Sequence, residues 1–299
     1  MLRAMAAVAF SKVEGLGNDF ILLDRMDLDG DRLRVEIEWA QGHARALCDR
    51  RRGIGADGIL VVGAGRGEAL ASMTVVNFDG SRPEMCGNGL RCVASFVAER
   101  LGVERVSIDT DAGCKACEVS SSGDGVREVR IDMGPASLLG DRTPASGRGR
   151  RFAGVSIGNP HAIDFVAADE DPELLARSLG PAIELDPAYA PSKTNVEFAQ
   201  AIHGAIVLWV WERGVGITEA CGTGACATVV AAAHAGLVAF DAAIEVRLPG
   251  GHLWITAPRD GDRGVIMRGP CRQVFSGVIE TAGLRTSSSP SSESSSSES

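Results

Sequence analysis

Lysine is scarce in this chain of 299 residues, which has it at only three positions, Lys12, Lys115 and Lys193. A pyridoxal-phosphate enzyme needs a lysine for its Schiff base, and none of the three lies in a glycine loop that could hold a phosphate. The sequence also lacks a stretch of the ~20 apolar residues that a membrane-spanning helix requires. The net charge of −9 comes without a basic stretch. We therefore expect neither a membrane nor a nucleic acid as a partner.

Cysteine occurs at 8 positions, too few for a disulfide scaffold in a chain of this length. Cys86, Cys92, Cys221 and Cys226 lie in or beside apolar runs that predict helices, as reduced cysteines do. This favours a cytoplasmic protein. Residues 7–9 mimic a signal-peptidase site, but the apolar run before them is short and continues into a predicted strand.

Two short stretches share the pattern Glu-x-Cys-Gly-x-Gly, at residues 84–89 and 219–224. Each precedes a run of small apolar residues that predicts a buried helix. Other pairs recur in the same order along the chain: Gly17-Asn18 with Gly158-Asn159, the Asp57 loop with Asn195, and Asn77 with Glu212. Ordered repetition of this kind indicates an internal duplication. Two such halves normally pack about a pseudo-twofold axis, which predicts that Cys86 and Cys221 face each other.

A cysteine in the first turn of a helix lies near unpaired N–H groups and the positive end of the helix dipole. This position favours the thiolate and predicts a lowered thiol pKa. The N–H groups that follow can also bind a carboxylate. With an amino-acid α-carbon between two such sulfurs, one thiolate could remove the α-proton while the other thiol donates a proton to the opposite face. The configuration would invert, and the N–H groups would stabilise the developing enolate charge.

Other patterns predict the surrounding elements. We expect helices over residues 33–49 and 171–179, and a loop or linker over residues 141–149. Residues 265–269 and 273–279 predict two separate strands. The serine-rich residues 286–299 have nothing to bury, which predicts a disordered tail.

Over nearly its whole length, apart from that tail, the chain resembles the diaminopimelate epimerase family. The matching stretches are residues 15–20, 53–57, 77–81, 85–89, 158–161, 194–195, 212–214 and 220–226. The resemblance implies an α/β (α+β) fold with two pseudo-symmetric halves, each a mostly antiparallel sheet wrapped around a central helix. The first half would span residues 1–133, carry Cys86 and be completed by residues 273–281. The second would span residues 134–272 and carry Cys221.

The resemblance also implies a function. The family interconverts LL- and meso-2,6-diaminopimelate in lysine and peptidoglycan precursor synthesis, uses neither pyridoxal phosphate nor a metal, and usually forms homodimers. By position, Cys86 and Cys221 would be the acid/base pair, and His161 and Glu212 would tune the thiol pKa values. The residues implied in substrate binding are Asn18, Asn77, Gly87, Asn88, Asn159, Asn195, Glu212, Arg213, Gly222 and Thr223, with Arg213 on the distal carboxylate.

Three positions depart from the family pattern. Some members carry Gln where this chain has Gly58, so that substrate contact is missing here. Ile217 and Glu219 stand where the family often has Glu and an apolar or amide residue. Glu219 would place a negative charge close to Cys221, and we expect it to raise the pKa of that thiol.

Two alternatives remain open at this point. The first is a racemase of another amino acid on the same fold, such as proline or a basic amino acid. The second is a thiol redox or zinc-binding protein, for which Cys114 and Cys117 form a C-x-x-C pair. No second close pair completes a set of four zinc ligands.

Overall fold

The computed structural model describes residues 7–83, 85–281 and 284. The predicted tail and Glu84 of the first cysteine motif lie outside the described residues. Within them, no helix is long and apolar enough to cross a membrane. The strands are β1 (Ala7–Gly15), β2 (Asn18–Arg25), β3 (Gly58–Ala64), β4 (Ala71–Asn77), β5 (Arg105–Thr110), β6 (Gly113–Gly123), β7 (Val126–Asp132), β8 (Ser137–Arg142), β9 (Phe152–Ser156), β10 (Pro160–Phe165), β11 (Asn195–Ile202), β12 (Ala205–Glu212), β13 (Gly216–Ile217), β14 (Ala243–Leu248), β15 (Gly251–Thr256) and β16 (Ile266–Glu280). The α-helices are α1 (Gly30–Cys48), α2 (Gly87–Leu101), α3 (Pro172–Glu184) and α4 (Gly222–His234).

The same order of elements occurs twice along the chain. In the first copy, β1 and β2 are antiparallel, α1 leads to β3 parallel to β2, and β4 is antiparallel to β3. Helix α2 then leads to β5 parallel to β4, and antiparallel β6 and β7 follow. The run β9, β10, α3, β11, β12, α4, β14, β15 and β16 repeats this order with the same relative strand directions. The topology therefore repeats as the cysteine motifs do.

Each copy surrounds one central helix. Strands β1 to β7 and β16 form a closed sheet, because β16 pairs with both β7 and β1, and α2 contacts all eight strands. Helix α4 contacts β9, β10, β11, β12, β15 and β16. Its residues are mostly small or apolar on every side, and all but His234 are buried, as a helix enclosed by a sheet requires. The predicted fold class is confirmed.

Strand β16 joins the two copies, and the prediction of two separate strands in this region was wrong. Its first residues pair with β15, and its residues from 272 onward pair with β1. The strand continues through Pro270, whose carbonyl accepts a 3.1 Å hydrogen bond from Arg91 Nε on α2. In a strand, the N and O of one residue point to the same side. The missing N–H of Pro270 therefore faces a helix, where no ladder bond is lost.

Two other predicted boundaries differ from the structure. Helix α3 passes through Pro181 to Glu184, five residues beyond its predicted end. Glu184 accepts hydrogen bonds from Trp211 Nε1 at 2.8 Å and from the N–H of Gly214 at 3.1 Å, so tertiary contacts hold the last turn. The predicted loop at 141–149 begins inside β8, all of whose side chains are exposed. A strand without a buried face carries no alternating pattern.

The turn between β1 and β2 packs against the turn between β14 and β15. A Cβ added to Gly250 would lie 1.9 Å from the carbonyl oxygen of Leu16 and 3.1 Å from that of Glu219. Because backbone atoms must move to accept it, we expect Gly250→Ala to lower the free energy of unfolding by about 2 kcal/mol. Urea unfolding measures this, and Gly261→Ala is the matched control, since a Cβ there meets nothing within 4 Å. Equal midpoints for the two variants would contradict the expectation.

Candidate active site

Both repeated cysteines are the N-cap residues of the two central helices. Cys86 precedes α2, and its Sγ accepts a 3.4 Å hydrogen bond from the N–H of Gly89. Cys221 precedes α4 and accepts from the N–H of Gly224 at the same distance. Both thiols are free, Cys221 buried and Cys86 partly buried. Each sulfur therefore lies at the positive end of a helix dipole.

The two helices meet at their first residues. A Cβ added to Gly87 would lie 3.6 Å from the Cα of Gly222, and one added to Gly222 would lie 3.5 Å from the Cα of Gly87. The Met267 side chain packs against both glycines. The N–H groups of both first turns are thus brought to one place, and a Cβ added at Gly87 or Gly222 would press on the Met267 side chain at 3.2 or 3.0 Å.

Asn18 and Asn88 link the first helix start to its surroundings. The Asn18 Oδ1 accepts from Asn88 Nδ2 at 3.2 Å and lies 3.9 Å from the Cys86 sulfur. Its Nδ2 donates to Asp57 at 2.7 Å. Asn88 is buried and also donates to the carbonyl of Ala220 at 2.8 Å. This bond joins the start of α2 to the residue just before Cys221.

A second set of side chains surrounds Cys221. The Thr223 Oγ1 lies 3.6 Å from the Cys221 sulfur and accepts from Asn159 Nδ2 at 3.4 Å. The Asn159 Oδ1 lies 3.1 Å from His161 Nε2. The other ring nitrogen of His161 lies 2.6 Å from Glu197. Asn159 stands in this set where Asn18 stands in the first, as the duplication predicts.

Glu212, at the end of β12, acts on both thiols through its charge. Its Oε1 accepts a 2.6 Å hydrogen bond from Thr218, and its carboxyl also bonds the Cys221 thiol. Burial raises the pKa of Glu212, and these two bonds oppose that change. Its negative charge in turn raises the pKa of both Cys86 and Cys221.

The thiols are harder to ionise than the sequence suggested. Burial raises the pKa of Cys86 to about 11, although the Gly89 N–H bond acts in the opposite direction. Burial also raises the pKa of Cys221 well above its usual value, and the charges of Glu212 and Glu197 add to this. The predicted lowering by the helix start is present but smaller than the cost of a buried charge. Glu219 is exposed, and the carboxyls that raise the Cys221 pKa are Glu212 and Glu197 instead.

Three implied substrate residues form hydrogen bonds with groups other than the sulfurs. Asn195 bonds the Pro160 carbonyl at 3.0 Å and accepts from the N–H of Arg213 at 2.9 Å. The exposed Arg213 guanidinium donates to the Ser192 carbonyl at 2.7 Å. Asn77 Nδ2 bonds Ser81 Oγ at 2.9 Å in its own turn.

The two cysteines of the C-x-x-C pair are not oriented to bind one metal ion or to form a disulfide with each other. Cys114 and Cys117 lie on β6, where side chains three residues apart point to opposite faces. Cys114 is accordingly exposed and Cys117 buried. Within the part of the chain that the structure describes, no group of three or more His, Cys, Asp or Glu side chains could hold a metal ion.

Comparison with known proteins identifies the family. The family profile described as diaminopimelate epimerase matches residues 10–139 and 153–274. The chain belongs to the diaminopimelate epimerase family. It is 41% identical over 293 residues to the diaminopimelate epimerase of a Synechocystis species, covering 92% of this chain and 99% of that protein. The Desulfitobacterium hafniense diaminopimelate epimerase is 41% identical over 286 residues, covering 90% and 96%.

Solved structures of more distant proteins share the fold of this diaminopimelate epimerase family member. A hydroxyproline epimerase from Agrobacterium vitis, with bound trans-4-hydroxy-L-proline, superposes with a TM-score of 0.67 at 16% identity. It covers 93% of this chain and 92% of its own. A probable proline racemase from Agrobacterium radiobacter, with bound carbonate, gives 0.66 at 17%, covering 92% and 93%.

The sequence interpretation of this diaminopimelate epimerase family member missed two buried charged residues. Glu197 lies in the apolar run of β11, and its side chain is fully buried against His161. Arg91 lies in the apolar run of α2 and donates to Asn88 Oδ1 at 2.8 Å. A single charge in an otherwise apolar element was the available signal, since such a charge needs a specific partner.

Gly58 occupies a position without room for a side chain. A Cβ there would lie 2.7 Å from the carbonyl oxygen of Val76, which belongs to the paired strand β4. The side chain that some members of the diaminopimelate epimerase family place here would require the two strands to shift.

Proposed function

We propose that this protein is an isomerase that interconverts LL- and meso-2,6-diaminopimelate, as a step in lysine and peptidoglycan precursor synthesis. The observation that carries the proposal is the meeting of two N-cap cysteines, Cys86 and Cys221, at helix starts that touch through Gly87 and Gly222. Family membership and the identity to relatives named diaminopimelate epimerase support the substrate.

The proposed reaction removes one proton from one face of the α-carbon and adds one proton to the opposite face. One thiolate takes the α-proton from one face and becomes a thiol. The other thiol gives its proton to the opposite face and becomes a thiolate, so the α-carbon inverts and the total number of protons is unchanged. Cys86 and Cys221 exchange roles when the other isomer reacts. The chemistry uses only the two thiols and needs neither pyridoxal phosphate nor a metal.

The α-carboxylate stabilises the charge that develops when the proton leaves. We place it at the two helix starts, on donors from Gly87, Asn88, Gly222 and Thr223. N–H groups held there by the fold need no reorganisation during the reaction. Burial of Cys221 and Asn88 limits the access of water to this place, which strengthens these hydrogen bonds.

The remaining implied residues would hold the rest of the substrate. This set comprises Asn18, Asn77, Asn159, Asn195, Glu212 and Arg213. Arg213 suits the distal carboxylate because its planar donors can bind two oxygens together, and it would have to turn from the Ser192 carbonyl. His161 and Glu212 would adjust the thiol pKa values.

We also propose the division of the chain into halves at residues 1–133 and 134–272, with residues 273–281 completing the first. Pairing of the later part of β16 with β1 supports this division.

The protein would act in the cytoplasm as a homodimer. Exposed apolar side chains on the same part of β16, Val274, Phe275 and Val278, support association of two copies. We expect sedimentation analysis to show a dimer, and a monomer for Val278→Glu.

Proton NMR in deuterium oxide tests the reaction directly. With reduced enzyme and LL-diaminopimelate, we expect loss of the α-proton signal and appearance of the meso isomer. L-proline and trans-4-hydroxy-L-proline are the comparison substrates. No exchange with diaminopimelate would reject the proposed substrate, and exchange with proline alone would identify a racemase of the other class.

A further inference from the structure

Glu197 is a buried carboxyl that the proposed reaction does not use. It lies on β11, beside the strand β10 that carries His161, and both side chains are fully buried. The Glu197 Oε1 lies 2.6 Å from His161 Nδ1. Among the described residues, its Oε2 is buried without a hydrogen-bond partner. A carboxyl held in this way is costly to bury, so its position needs an explanation.

The carboxyl also touches the helix that begins at Cys221. A Cβ added to Gly224 would lie 2.9 Å from Glu197 Oε1, so the carboxyl packs against the first turn of α4. The other titratable groups that its charge reaches are Glu212, Cys221 and Tyr189. Glu197 therefore lies between the imidazole of His161 and the helix start at Cys221.

The two ring nitrogens of His161 both lie against acceptors. Nδ1 is next to Glu197 Oε1, and Nε2 is next to Asn159 Oδ1. Two hydrogens are needed to fill these two bonds. Either the ring is an imidazolium beside a carboxylate, or a protonated Glu197 donates to Nδ1 while Nε2–H donates to Asn159. In both forms the pair shares one proton and has no net charge, which suits a site without water.

This arrangement sets the direction of the bonds that follow. Because Asn159 accepts from His161 through Oδ1, its Nδ2 is turned to Thr223 Oγ1. Because Thr223 Oγ1 accepts that bond, its own hydrogen is free for the Cys221 sulfur at 3.6 Å. If Nε2 carried no hydrogen, the Asn159 amide would turn over and accept the Thr223 hydrogen instead. The sulfur would then lose a donor.

We propose that Glu197 is a positioning residue for Cys221. Acting through His161 and Asn159, it keeps the hydroxyl of Thr223 pointed at the Cys221 sulfur, where it supports the thiolate. The role of Cys221 as a proton-transferring thiol rests on the proposed function. The series of hydrogen bonds from Glu197 to Thr223, and its effect on the Cys221 sulfur, can be measured without turnover.

The test measures the reactivity of Cys221 toward iodoacetamide across pH. The reduced full-length protein is labelled, and peptide mass spectrometry follows Cys221, with Cys86 as the internal control. Glu197→Leu removes the anchor of His161 and also removes a charge whose loss alone would lower the Cys221 pKa. We expect the loss of the Thr223 donor to outweigh this, so the Cys221 rate at pH 7.5 should fall about tenfold, as a net pKa increase of one unit gives. Thr223→Val should give the same fall, and the double variant should fall no further.

Glu197→Gln is the conservative control. An NH2 group needs a partner more than a carbonyl does, so the amide should donate to His161 Nδ1 and leave its oxygen at the unpartnered position. The Cys221 profile should then stay within about twofold of the wild type. If Glu197 acted only as a nearby negative charge, Leu and Gln would both increase the rate, which would overturn the proposal. An unchanged rate in Glu197→Leu would overturn it as well.

A measurement on the wild type makes the test independent of how the variants fold. Nitrogen-15 NMR of the imidazoles, with the His161 signals assigned by their loss in His161→Gln, reports which ring nitrogens carry hydrogen. We expect Nε2 of His161 to be protonated. A bare Nε2 with hydrogen on Nδ1 would overturn the proposal. Epimerisation is measured on the same samples. If the wild type does not epimerise diaminopimelate, the proposed function is rejected, and the alkylation rates still decide the role of Glu197.

Discussion

Cys86→Ser and Cys221→Ser are each expected to reduce epimerisation by about a thousandfold or more, within the range that general acid–base groups contribute. A serine hydroxyl releases its proton far less readily than a thiol, so it cannot serve as the base. It can still accept the N–H of Gly89 or Gly224 and cap the helix. The substitutions should therefore remove the chemistry and leave the fold intact. The rate of conversion of LL- to meso-diaminopimelate measures the effect.

The two variants should also separate exchange from inversion. With one thiol left, deuterium can return only to the face from which the proton was taken. We expect residual exchange without inversion for one isomer in Cys86→Ser and for the other isomer in Cys221→Ser. Cys114→Ser is the matched control, because Cys114 is exposed on β6 and lies outside both cysteine motifs. If either active-site variant kept more than about a tenth of the wild-type rate, the two-thiol mechanism would be wrong.

The internal duplication could be predicted from the sequence because each half carries the same short motifs in the same order. Each cysteine motif marks a helix start, and the small residues after it predict a helix enclosed on all sides. The repeated order of motifs was visible in the sequence itself, whereas the mostly antiparallel character of the sheets was expected only from the resemblance to the family. The sequence predicted a break in the strand at Pro270. The strand continues there because the side of Pro270 that lacks an N–H faces Arg91 of α2 and no neighbouring strand, and Arg91 donates to the Pro270 carbonyl.

The candidate site was only partly predictable. Cys86, Cys221 and the residues after them could be found, because a helix start has a sequence signature. The pairing of Glu197 with His161 depends on which residues of two neighbouring strands face inward together, and no local pattern records that register. The thiol pKa values could not be predicted either. A helix start is visible in the sequence, whereas the burial that outweighs it results from the packing of both halves.

The same conflict between helix start and burial predicts how activity depends on pH. Burial raises the pKa of Cys86 to about 11 and also raises that of Cys221, so both groups are thiols near neutral pH. The reaction needs one thiolate and one thiol. Between about pH 6.5 and 8.5 the fraction with one thiolate should grow about tenfold per unit, and kcat/KM, which reports the free enzyme, should grow with it.

The measurement is kcat/KM for LL-diaminopimelate at half-unit steps, with circular dichroism at each pH to show that the fold is unchanged. The alkylation rate of Cys86 over the same range is an independent measure of its thiolate. A gain of about a hundredfold over two units would show that the buried thiols titrate above the range tested. A flat profile would mean that a helix start lowers a thiol pKa below the range tested, in the direction that the cysteine motifs alone predicted. Burial would then raise the thiol pKa values by less than the packing around Cys221 indicates.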